Sequence, residues 1–437
     1  MGYLSNNFFN KINSLITGQY LFLIGIFFLP STLFISLFFL LPAAVLGTIK
    51  NNESYLNDNW SKSFFLCGIL MTFSSILQKF FIENNYSNIW DPNLSIIGLS
   101  NWLPFFWLFW ALQPYLKTKK QRNITALAIV SGTFPVLISG FGQYFFKWHG
   151  PFEIWNGLII WYQRPIEYPA GLSGLFNNQN YAGSWINFAW PFSIAFVIDK
   201  SQKFIKKVFA INFLLSIGLA AFLTNSRNAW AGILISLPIV IGLESFFWLI
   251  PLFTLIIILI LFCTSDYLSG DIQNFLRSII PQQVWMEFSE EGFKDIDVSR
   301  IEILKSAILL LLKNPLFGIG AASFSAIYAY QTGFWKGHSH NLIIEFAISY
   351  GIPATIIILI TISSILFLSG KKIFLNQRLI NKKDFYERAW WCSTFYFLIS
   401  QLADIQYFDG KISILFWVLL AGLKNILNQP KSYDLVN

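Results

Sequence analysis

Charged residues are scarce in this chain of 437 residues: they make up 12% of it, whereas hydrophobic residues make up 55% and aromatic residues 19%. A soluble domain averages about 25% charged residues. The core of a soluble protein of this length could not hold so many apolar side chains. The composition therefore excludes a soluble enzyme and a module that binds nucleic acid. It predicts an integral membrane protein, all-α in fold class.

Cysteine is also rare. Cys67, Cys263 and Cys392 all lie in apolar runs, where free thiols behave as small hydrophobic groups. Three such residues exclude a disulfide framework and a paired-cysteine zinc site. We interpret the net charge of +8 as a signal of membrane orientation rather than of an acidic partner. The N-terminal residues lack the pattern of a signal peptide, so we expect no cleaved leader.

Apolar stretches of about 20 residues cross a bilayer as helices, and the chain has about 12 candidate spans. These spans are residues 20–30, 31–49, 63–82, 100–116, 123–146, 181–199, 205–224, 228–243, 246–263, 341–369, 389–406 and 412–427. Residues 20–49 form either one long tilted helix or a tight hairpin broken near Pro30. The distribution of charge favours the hairpin.

Short basic loops predict the orientation of these spans. The loops are residues 117–122, 200–207 and 370–388, and each concentrates lysine and arginine. The positive-inside rule places them in the cytoplasm, together with residues 50–62 and, given the hairpin, both chain termini. Three longer segments then lie outside: residues 83–100, 147–180 and 264–340. We predict that residues 1–437 form a single polytopic membrane domain.

The largest outer (periplasmic) loop, residues 264–340, is predicted to be partly helical. Residues 299–313 place apolar residues at helical spacing. Asp297 or Ser299 could cap the start of this helix, and Asn314-Pro315 ends it. We expect an amphipathic helix that lies on the outer face of the membrane.

Two arginines on the predicted outer side are candidates for binding an anion. Arg227 lies in a short turn between two spans, and no acidic residue lies near it in the sequence. It either snorkels to the membrane surface or contacts an anionic ligand. Arg300 opens the predicted outer helix, whose N-terminus carries partial positive charge and free N–H groups. The alternative is a solvated arginine paired with Glu302 or Asp297.

Histidines and an acidic pair offer weaker signals. His338 and His340 could bind a metal, but the loop offers no clear third ligand. Alternatively, a histidine at the membrane boundary can act as a general base. Asp295 and Asp297 form an acidic pair in the outer loop. We interpret this pair as part of a solvated charge run rather than a metal site.

Polar side chains inside apolar spans are costly and therefore informative. Asp404 and Gln401 lie near the outer end of the predicted span 389–406. We expect them to line a cavity or to form hydrogen bonds between helices.

The most specific motifs lie around His340. Residues 314–320 have the sequence N-P-L-F-G-I-G, and G-H-S-H-N-L-I-I-E follows. These motifs resemble the O-antigen ligase and polymerase superfamily of bacterial membrane glycosyltransferases. The ligase signature is a histidine, then Asn, Ser or Gln, nine residues and a glycine; His340, Asn341 and Gly351 satisfy it. Three residues later the family often has Gly, Thr or Tyr, where this chain has Ala354.

Two further segments resemble the family, and the similarity covers residues 160–365. Residues 174–182, G-L-F-N-N-Q-N-Y-A, look like its outer-loop Gly/Asn motif. Residues 226–230, S-R-N-A-W, look like its membrane-edge arginine motif.

The resemblance implies a site and a reaction. The residues matching Arg227 and Arg300 are implied to hold the diphosphate of a polyprenyl-linked glycan, and the residue matching His340 to activate the acceptor hydroxyl. The candidates for supporting roles are His338, Asn341, Asn180 and Arg164. The reaction is implied to need no metal, no cofactor and no nucleotide sugar.

Three functions remain open at this point. The favoured one is a ligase in the bacterial inner (plasma) membrane, with lipid A core or a protein as acceptor. A polymerase would use another lipid-linked glycan repeat as acceptor. A solute transporter is the third, because one cyanobacterial branch of the superfamily is associated with bicarbonate accumulation; the chain has no inverted repeat of the kind that transporters show. Expected partners are the lipid-linked glycan, the acceptor and membrane lipid, but not nucleic acid.

Overall fold

The computed structural model describes residues 16–51, 54–80, 88–167, 170–199, 201–264, 270–280, 282–286, 298–375 and 384–429. Within these ranges the chain is helical almost throughout, with one short two-stranded hairpin. The predicted all-α class is confirmed. The acidic pair Asp295 and Asp297 lies outside the described residues.

The helices, in chain order, are α1 Ile16–Phe28, α2 Leu33–Lys50, α3 Asn59–Phe80, α4 Asn93–Gly98, α5 Leu103–Ala111, α6 Lys119–Phe146, α7 Gln179–Ile198, α8 Phe204–Leu223, α9 Arg227–Ile241, α10 Phe246–Thr264, α11 Gly270–Ile279, α12 Gln282–Met286, α13 Arg300–Lys313, α14 Ser323–Thr332, α15 Leu342–Tyr350, α16 Ile352–Leu375, α17 Phe385–Ser400 and α18 Gly410–Asn428. The strands β1 Phe152–Ile154 and β2 Ile159–Trp161 pair antiparallel between α6 and α7.

Eight helical segments in the described ranges are long and apolar enough to cross a membrane, namely α2, α3, α4–α5, α6, α8, α10, α16 and α18. Two shorter helices, α1 and α9, are also apolar. Large side chains on these helices are exposed, among them Phe38 (69%), Phe209 (72%) and Phe247 (87%). Because surfaces of this kind are stable against lipid rather than water, the chain is a multi-pass membrane protein. The number of 12 spans stays a prediction.

The helices α1 and α2 form a hairpin with Pro30 in its turn. The Ser36 hydroxyl donates a hydrogen bond to the Gly25 carbonyl oxygen at 2.8 Å. Gly25 also packs against Leu40, because a Cβ at position 25 would come within 2.6 Å of the Leu40 side chain. Segments so close in sequence face each other when two helices run antiparallel. The chain therefore turns near Pro30, as the charge pattern predicts.

The helices α7, α17 and α18 form the centre of the bundle. Every residue of α7 from Ala182 to Ala195 is buried, and α7 packs against α8, α9 and α17. Helix α18 is buried from Ile412 to Ile426 and packs against α5, α16 and α17. Small side chains at the points of contact let the backbones of these helices come close to each other. At one of them the Ser393 hydroxyl of α17 donates to a carbonyl oxygen of α7 at 2.9 Å.

Two predicted spans differ from the structure. One continuous span over 341–369 is wrong, because Gly351 separates α15 from α16. Gly351 has a φ of 87°, and a Cβ there would overlap the Leu316 carbonyl oxygen, so glycine alone fits. The span predicted over 389–406 ends at Ser400. Residues 401–409 form a loop, called here the α17–α18 loop.

Polar contacts join the predicted cytoplasmic loops at one end of the bundle. The Arg122 guanidinium lies 2.6 Å from the Glu387 carboxylate, and the Tyr386 hydroxyl donates to Asp199 at 3.0 Å. The loops before α6, after α7 and before α17 therefore meet, as the charge pattern predicts. This part of the molecule is called the basic end. The side of the membrane that it faces stays a prediction.

Candidate active site

The α17–α18 loop is folded around one buried amide. The Gln401 side-chain oxygen accepts hydrogen bonds from the backbone N–H groups of Gln406 and Tyr407, at 2.9 and 3.0 Å. The Gln401 carbonyl oxygen accepts from the backbone N–H of Leu342, at 2.9 Å. Since Leu342 starts α15, the loop is fixed against the segment that carries His338 and His340.

The Asp404 carboxylate projects from this loop and lies close to four polar side chains. Its Oδ1 lies 2.8 Å from Nδ1 of His340 and 3.8 Å from Nε2 of His338. Its Oδ2 accepts from the side-chain amides of Asn180, at 3.2 Å, and Gln406, at 2.9 Å. The structure therefore brings together three predicted site residues, from sequence positions 180 to 340, around one carboxylate.

The charge of Asp404 is stabilised by its neighbours. Burial by itself raises the pKa of the Asp404 carboxyl, but the hydrogen bond from His340, together with the nearby His338 and His340 rings and, last, the charge of Arg300, outweighs burial, and the net pKa is lowered. The group is therefore an anion at neutral pH. A carboxylate can accept hydrogen bonds but not donate them.

This arrangement assigns the proton on His340. Because Asp404 is an acceptor, Nδ1 of His340 carries the proton, and Nε2 presents a lone pair. The His340 side chain is 26% exposed. The residue has a φ of 58°, in the left-handed region. Its backbone N–H donates to Nδ1 of His338 at 3.2 Å.

His338 is a neutral neighbour of the pair. Burial, and then repulsion from His340 when that ring is protonated, lower the pKa of the His338 imidazole to about 4, against the attraction of Asp404. Since Nδ1 of His338 accepts the backbone N–H of His340, its own proton lies on Nε2, toward Asp404. Both nitrogens of His338 are thus turned to neighbours within the site, and a supporting role for it stays a prediction.

Asn341 holds the segment that follows the histidines. Its side-chain oxygen accepts from the backbone N–H groups of Ile343 and Ile344, both at 3.1 Å, and so caps α15. Its side-chain N–H donates to the Leu402 carbonyl oxygen at 3.1 Å. The asparagine of the predicted signature is therefore a helix cap that also binds the α17–α18 loop.

Arg300 is the first residue of α13, and the structure places it beside the same loop. Ser299 and Glu302 form a capping box at this helix start, so the predicted cap by Ser299 is confirmed. The Arg300 guanidinium donates to the Ala403 carbonyl oxygen at 3.2 Å, one residue before Asp404. It does not use Glu302 as its partner there, because that carboxylate is part of the capping box.

The helix that carries Arg300 packs one apolar face inside the molecule. Its residues Ile303, Ala307 and Leu310 are buried in a small apolar cluster with residues of α14 and α15, while Leu309 and Leu312 are 64% and 62% exposed. Apolar residues therefore lie on the open side of α13 as well as on its buried face. An amphipathic helix on the membrane surface stays a prediction.

Arg227 is the first residue of α9 rather than part of an irregular turn. The Ser226 hydroxyl caps this helix by accepting from the Ala229 backbone N–H, at 3.5 Å. The neighbouring side chain of Asn228 donates to the Gln406 side-chain oxygen at 3.4 Å. The helix start that bears the exposed Arg227 is thereby linked to the α17–α18 loop.

A third potential metal ligand joins the two histidines. One ring nitrogen from His338, one from His340 and a carboxylate oxygen of Asp404 lie within 4.8 Å of one another; the third ligand comes from the α17–α18 loop and not from the loop that holds the histidines. The hydrogen bond between His340 and Asp404 already uses Nδ1 of His340 and Oδ1 of Asp404. A metal ion would have to displace the proton between His340 and Asp404. Independence from metal stays a prediction.

The predicted residue Arg164 and the remaining histidine, His149, have their contacts elsewhere. Arg164 is exposed, and its carbonyl oxygen accepts from the Gln143 side chain at 2.8 Å. The His149 ring nitrogen lies 3.1 Å from the Lys147 carbonyl oxygen. Both contacts stay within α6 and the segment between α6 and α7. A supporting role for Arg164 stays a prediction.

The central carboxylate was underestimated from the sequence, and Gln406 was missed. Asp404 lies 64 residues after His340, and nothing in sequence spacing pairs the two. The available signal was the polar pattern Q-x-x-D-x-Q over 401–406 at the end of an apolar run. Three polar residues within six positions at a span boundary are costly unless they bind something.

Residues 211–359 match the family model described as O-antigen ligase. This segment contains Arg227, Arg300, His338, His340 and Asn341, and it lies inside the predicted region 160–365. A search of curated proteins found no match. The resemblance inferred from the motifs is thus confirmed for the segment that carries the histidines and both arginines, while Asp404 lies outside it.

Proposed function

We propose, since residues 211–359 match the family model described as O-antigen ligase, that the protein moves a glycan from polyprenyl diphosphate to an acceptor hydroxyl. The reaction takes place on the outer face of the bacterial inner membrane. No metal and no organic cofactor takes part. The acceptor is lipid A core, a protein or another glycan.

The observation that carries this proposal is the hydrogen bond between His340 and Asp404. With Nδ1 committed to the carboxylate at 2.8 Å, Nε2 of His340 is free to take a proton. The acceptor hydroxyl loses that proton as its oxygen attacks the anomeric carbon of the donor glycan. The bond from that carbon to the diphosphate breaks, and the diphosphate leaves with the electron pair. Asp404 stabilises the imidazolium that forms.

The two arginines suit the leaving group. A departing lipid diphosphate gains negative charge, and guanidinium groups offset such charge through paired hydrogen bonds. Arg300 lies next to the pair through its hydrogen bond to the Ala403 carbonyl oxygen. Arg227 begins a helix whose next residue contacts the same loop. Both helix starts add free N–H groups and partial positive charge.

The first test is the glycan profile of a strain that lacks the gene. Loss of ligated polymer with accumulation of lipid-linked polymer is expected. Single repeats alone would assign the polymerase reaction instead. Complementation with His340→Ala is expected to fail, whereas His149→Ala, a histidine in the α6–α7 segment, should restore the profile. Restoration by His340→Ala at normal membrane abundance would overturn the proposal.

The second test addresses the leaving group and the metal. Arg300→Ala is expected to reduce transfer at least roughly tenfold, and Arg300→Lys should rescue it poorly, because an ammonium lacks the guanidinium fork. Lys305→Ala, an exposed residue of the same helix, is the matched control and should transfer normally. Transfer should persist in excess chelator. Loss of transfer in chelator with recovery on Mn²⁺ would contradict the metal-free reaction.

A further inference from the structure

Gln406 is fully buried and contacts two parts of the candidate site. Its side-chain N–H donates to Oδ2 of Asp404 at 2.9 Å. Its side-chain oxygen accepts from the amides of Gln401, at 2.9 Å, and Asn228, at 3.4 Å. If the Gln406 amide flipped, its N–H groups would face two other donors and its oxygen would face a carboxylate. The orientation that donates to Asp404 is therefore the stable one.

The Asn228 amide is oriented in the same manner. The Tyr396 hydroxyl lies 2.7 Å from the Asn228 side-chain oxygen and 2.5 Å from its carbonyl oxygen. The Asn187 side chain donates to that carbonyl oxygen at 3.1 Å. Since the Gln406 side-chain oxygen is an acceptor, the orientation in which the Asn228 N–H group is directed toward it is the stable one. Contacts from Asn187 of α7 and Tyr396 of α17 hold this residue in place.

We propose that Gln406 is a positioning residue that joins α9, the helix that carries Arg227, to the Asp404–His340 pair. By holding Oδ2 of Asp404, the amide leaves Oδ1 directed at Nδ1 of His340. The side-chain amides of Asn228 and Gln406 then fix the distance between the start of α9 and His340. This inference rests on the proposed function, because it assigns Gln406 a role through His340.

The test is the transfer rate of Gln406→Asn. The substitution keeps the amide but is one methylene too short to reach Asp404 and Asn228 together. Asp404 then loses the donor that holds Oδ2, and the His340 ring is less well aligned. At normal membrane abundance, kcat should fall roughly tenfold with an unchanged KM for the donor. A residue that only supports folding would lower protein abundance without changing kcat per molecule.

The assay uses the full-length protein in nanodiscs. Its donor is the lipid-linked glycan extracted from a strain that lacks the gene, and the release of polyprenyl diphosphate is measured. The matched control is Gln143→Asn. Gln143 is similarly buried, at 2% exposed, and its side-chain oxygen accepts from the N–H groups of Ser173 and Gly174. Its kcat should match that of the unaltered protein.

Each outcome decides the inference. An unchanged kcat in Gln406→Asn overturns it. If that variant does not insert into the membrane, Gln406→Met keeps the length of the side chain without its hydrogen bonds. The same fall in kcat with an unchanged KM for the donor is then expected, and an unchanged kcat overturns the inference. An active His340→Ala protein would instead overturn the proposed function, so the two failures are distinguishable.

Discussion

At the scale of single residues, the candidate site depends on a strained histidine held by its neighbours. A side chain larger than glycine in the left-handed region costs about 1 kcal/mol, and His340 has a φ of 58°. Its backbone N–H is bound by His338 and its ring by Asp404. These two hydrogen bonds offset the backbone cost. They also hold the imidazole ring in one orientation, and a general base needs such a fixed orientation.

Asp404→Asn keeps the shape of the side chain but removes its negative charge, so it tests whether the charge is needed. The amide can present N–H to Nδ1 of His340, which favours the tautomer with the proton on Nε2 and removes the free lone pair. We expect the transfer rate to fall by roughly 10²- to 10⁴-fold at normal abundance, by analogy with hydrolases that orient a histidine in this manner. Asp91→Asn is the control, since Asp91 accepts from the Asn93 N–H at 2.9 Å and asparagine preserves that turn. Equal rates for the two variants would contradict the assigned tautomer.

His338 should make the folded protein sensitive to mild acid. Its imidazole has a pKa of about 4 in the folded protein and about 6.5 when unfolded. The unfolded chain therefore binds more protons between these values, and stability is lost as pH falls through this window. The loss reaches about 2 kcal/mol by pH 5.

The measurement is thermal unfolding of the purified protein from pH 7 to pH 5. The unaltered protein should lose more stability over this range than His338→Gln, which has no titrating ring. A parallel pH dependence in the two proteins would show that His338 is not buried as described.

At the scale of elements, the break between α15 and α16 positions the histidine segment. The chain must turn sharply at Gly351 so that α15 can present Asn341 to the α17–α18 loop. Gly351→Ala should lower the melting temperature strongly, because the added Cβ meets the Leu316 carbonyl oxygen in addition to the cost of φ, 87°. Gly333→Ala is the control. Its φ is 78°, but nothing lies within 4 Å of the added Cβ.

The expected difference separates strain from overlap. Gly333→Ala should cost about 1 kcal/mol from the backbone conformation alone. Gly351→Ala should cost at least about 2 kcal/mol more. If the two variants melt at the same temperature, the close approach of the α13–α14 segment to Gly351 is not present in solution.

Local patterns predicted the helices well and the contacts between them poorly. The apolar runs gave the helix positions, and Ser299 and Asn314 marked both ends of α13, because capping is decided within a few residues. The break at Gly351 lies inside an apolar run, and its cause is a carbonyl oxygen of Leu316, which arrives only through tertiary packing. The pairing of Asp404 with His340 has the same origin. Charge and hydropathy could locate both residues near the membrane boundary but could not join them.

At the scale of the whole molecule, the charge pattern predicts that the basic end and the candidate active site lie at opposite faces of the membrane. Lys120→Cys at the basic end and Trp335→Cys near His338 test this directly, since both positions are exposed. In cells with a permeable outer membrane, a maleimide that cannot cross the inner membrane should label Trp335→Cys. Lys120→Cys should react after the inner membrane is disrupted.

The native cysteines provide a low background for this experiment. Cys67, Cys263 and Cys392 are all buried, so the unaltered protein should react weakly in both conditions. Labelling of Lys120→Cys in intact membranes, with Trp335→Cys protected, would reverse the orientation. The site would then face the cytoplasm, and the proposed donor on the outer face could not reach it.

The burial of α18 has a consequence for biosynthesis. This helix fills the centre of the bundle, and its residues from Ile412 to Ile426 are all buried. The Lys424 ammonium lies 3.4 Å from the Asp58 carboxylate and 2.5 Å from the Gln113 side-chain oxygen. A ribosome makes α18 after α1–α17. During synthesis, α5, α16 and α17 are therefore in the membrane before the helix that fills the gap between them. Asp58 has no contact with Lys424 until α18 is inserted. Membrane chaperones would encounter the chain in this open form, and quality control can distinguish it from the finished protein by that gap.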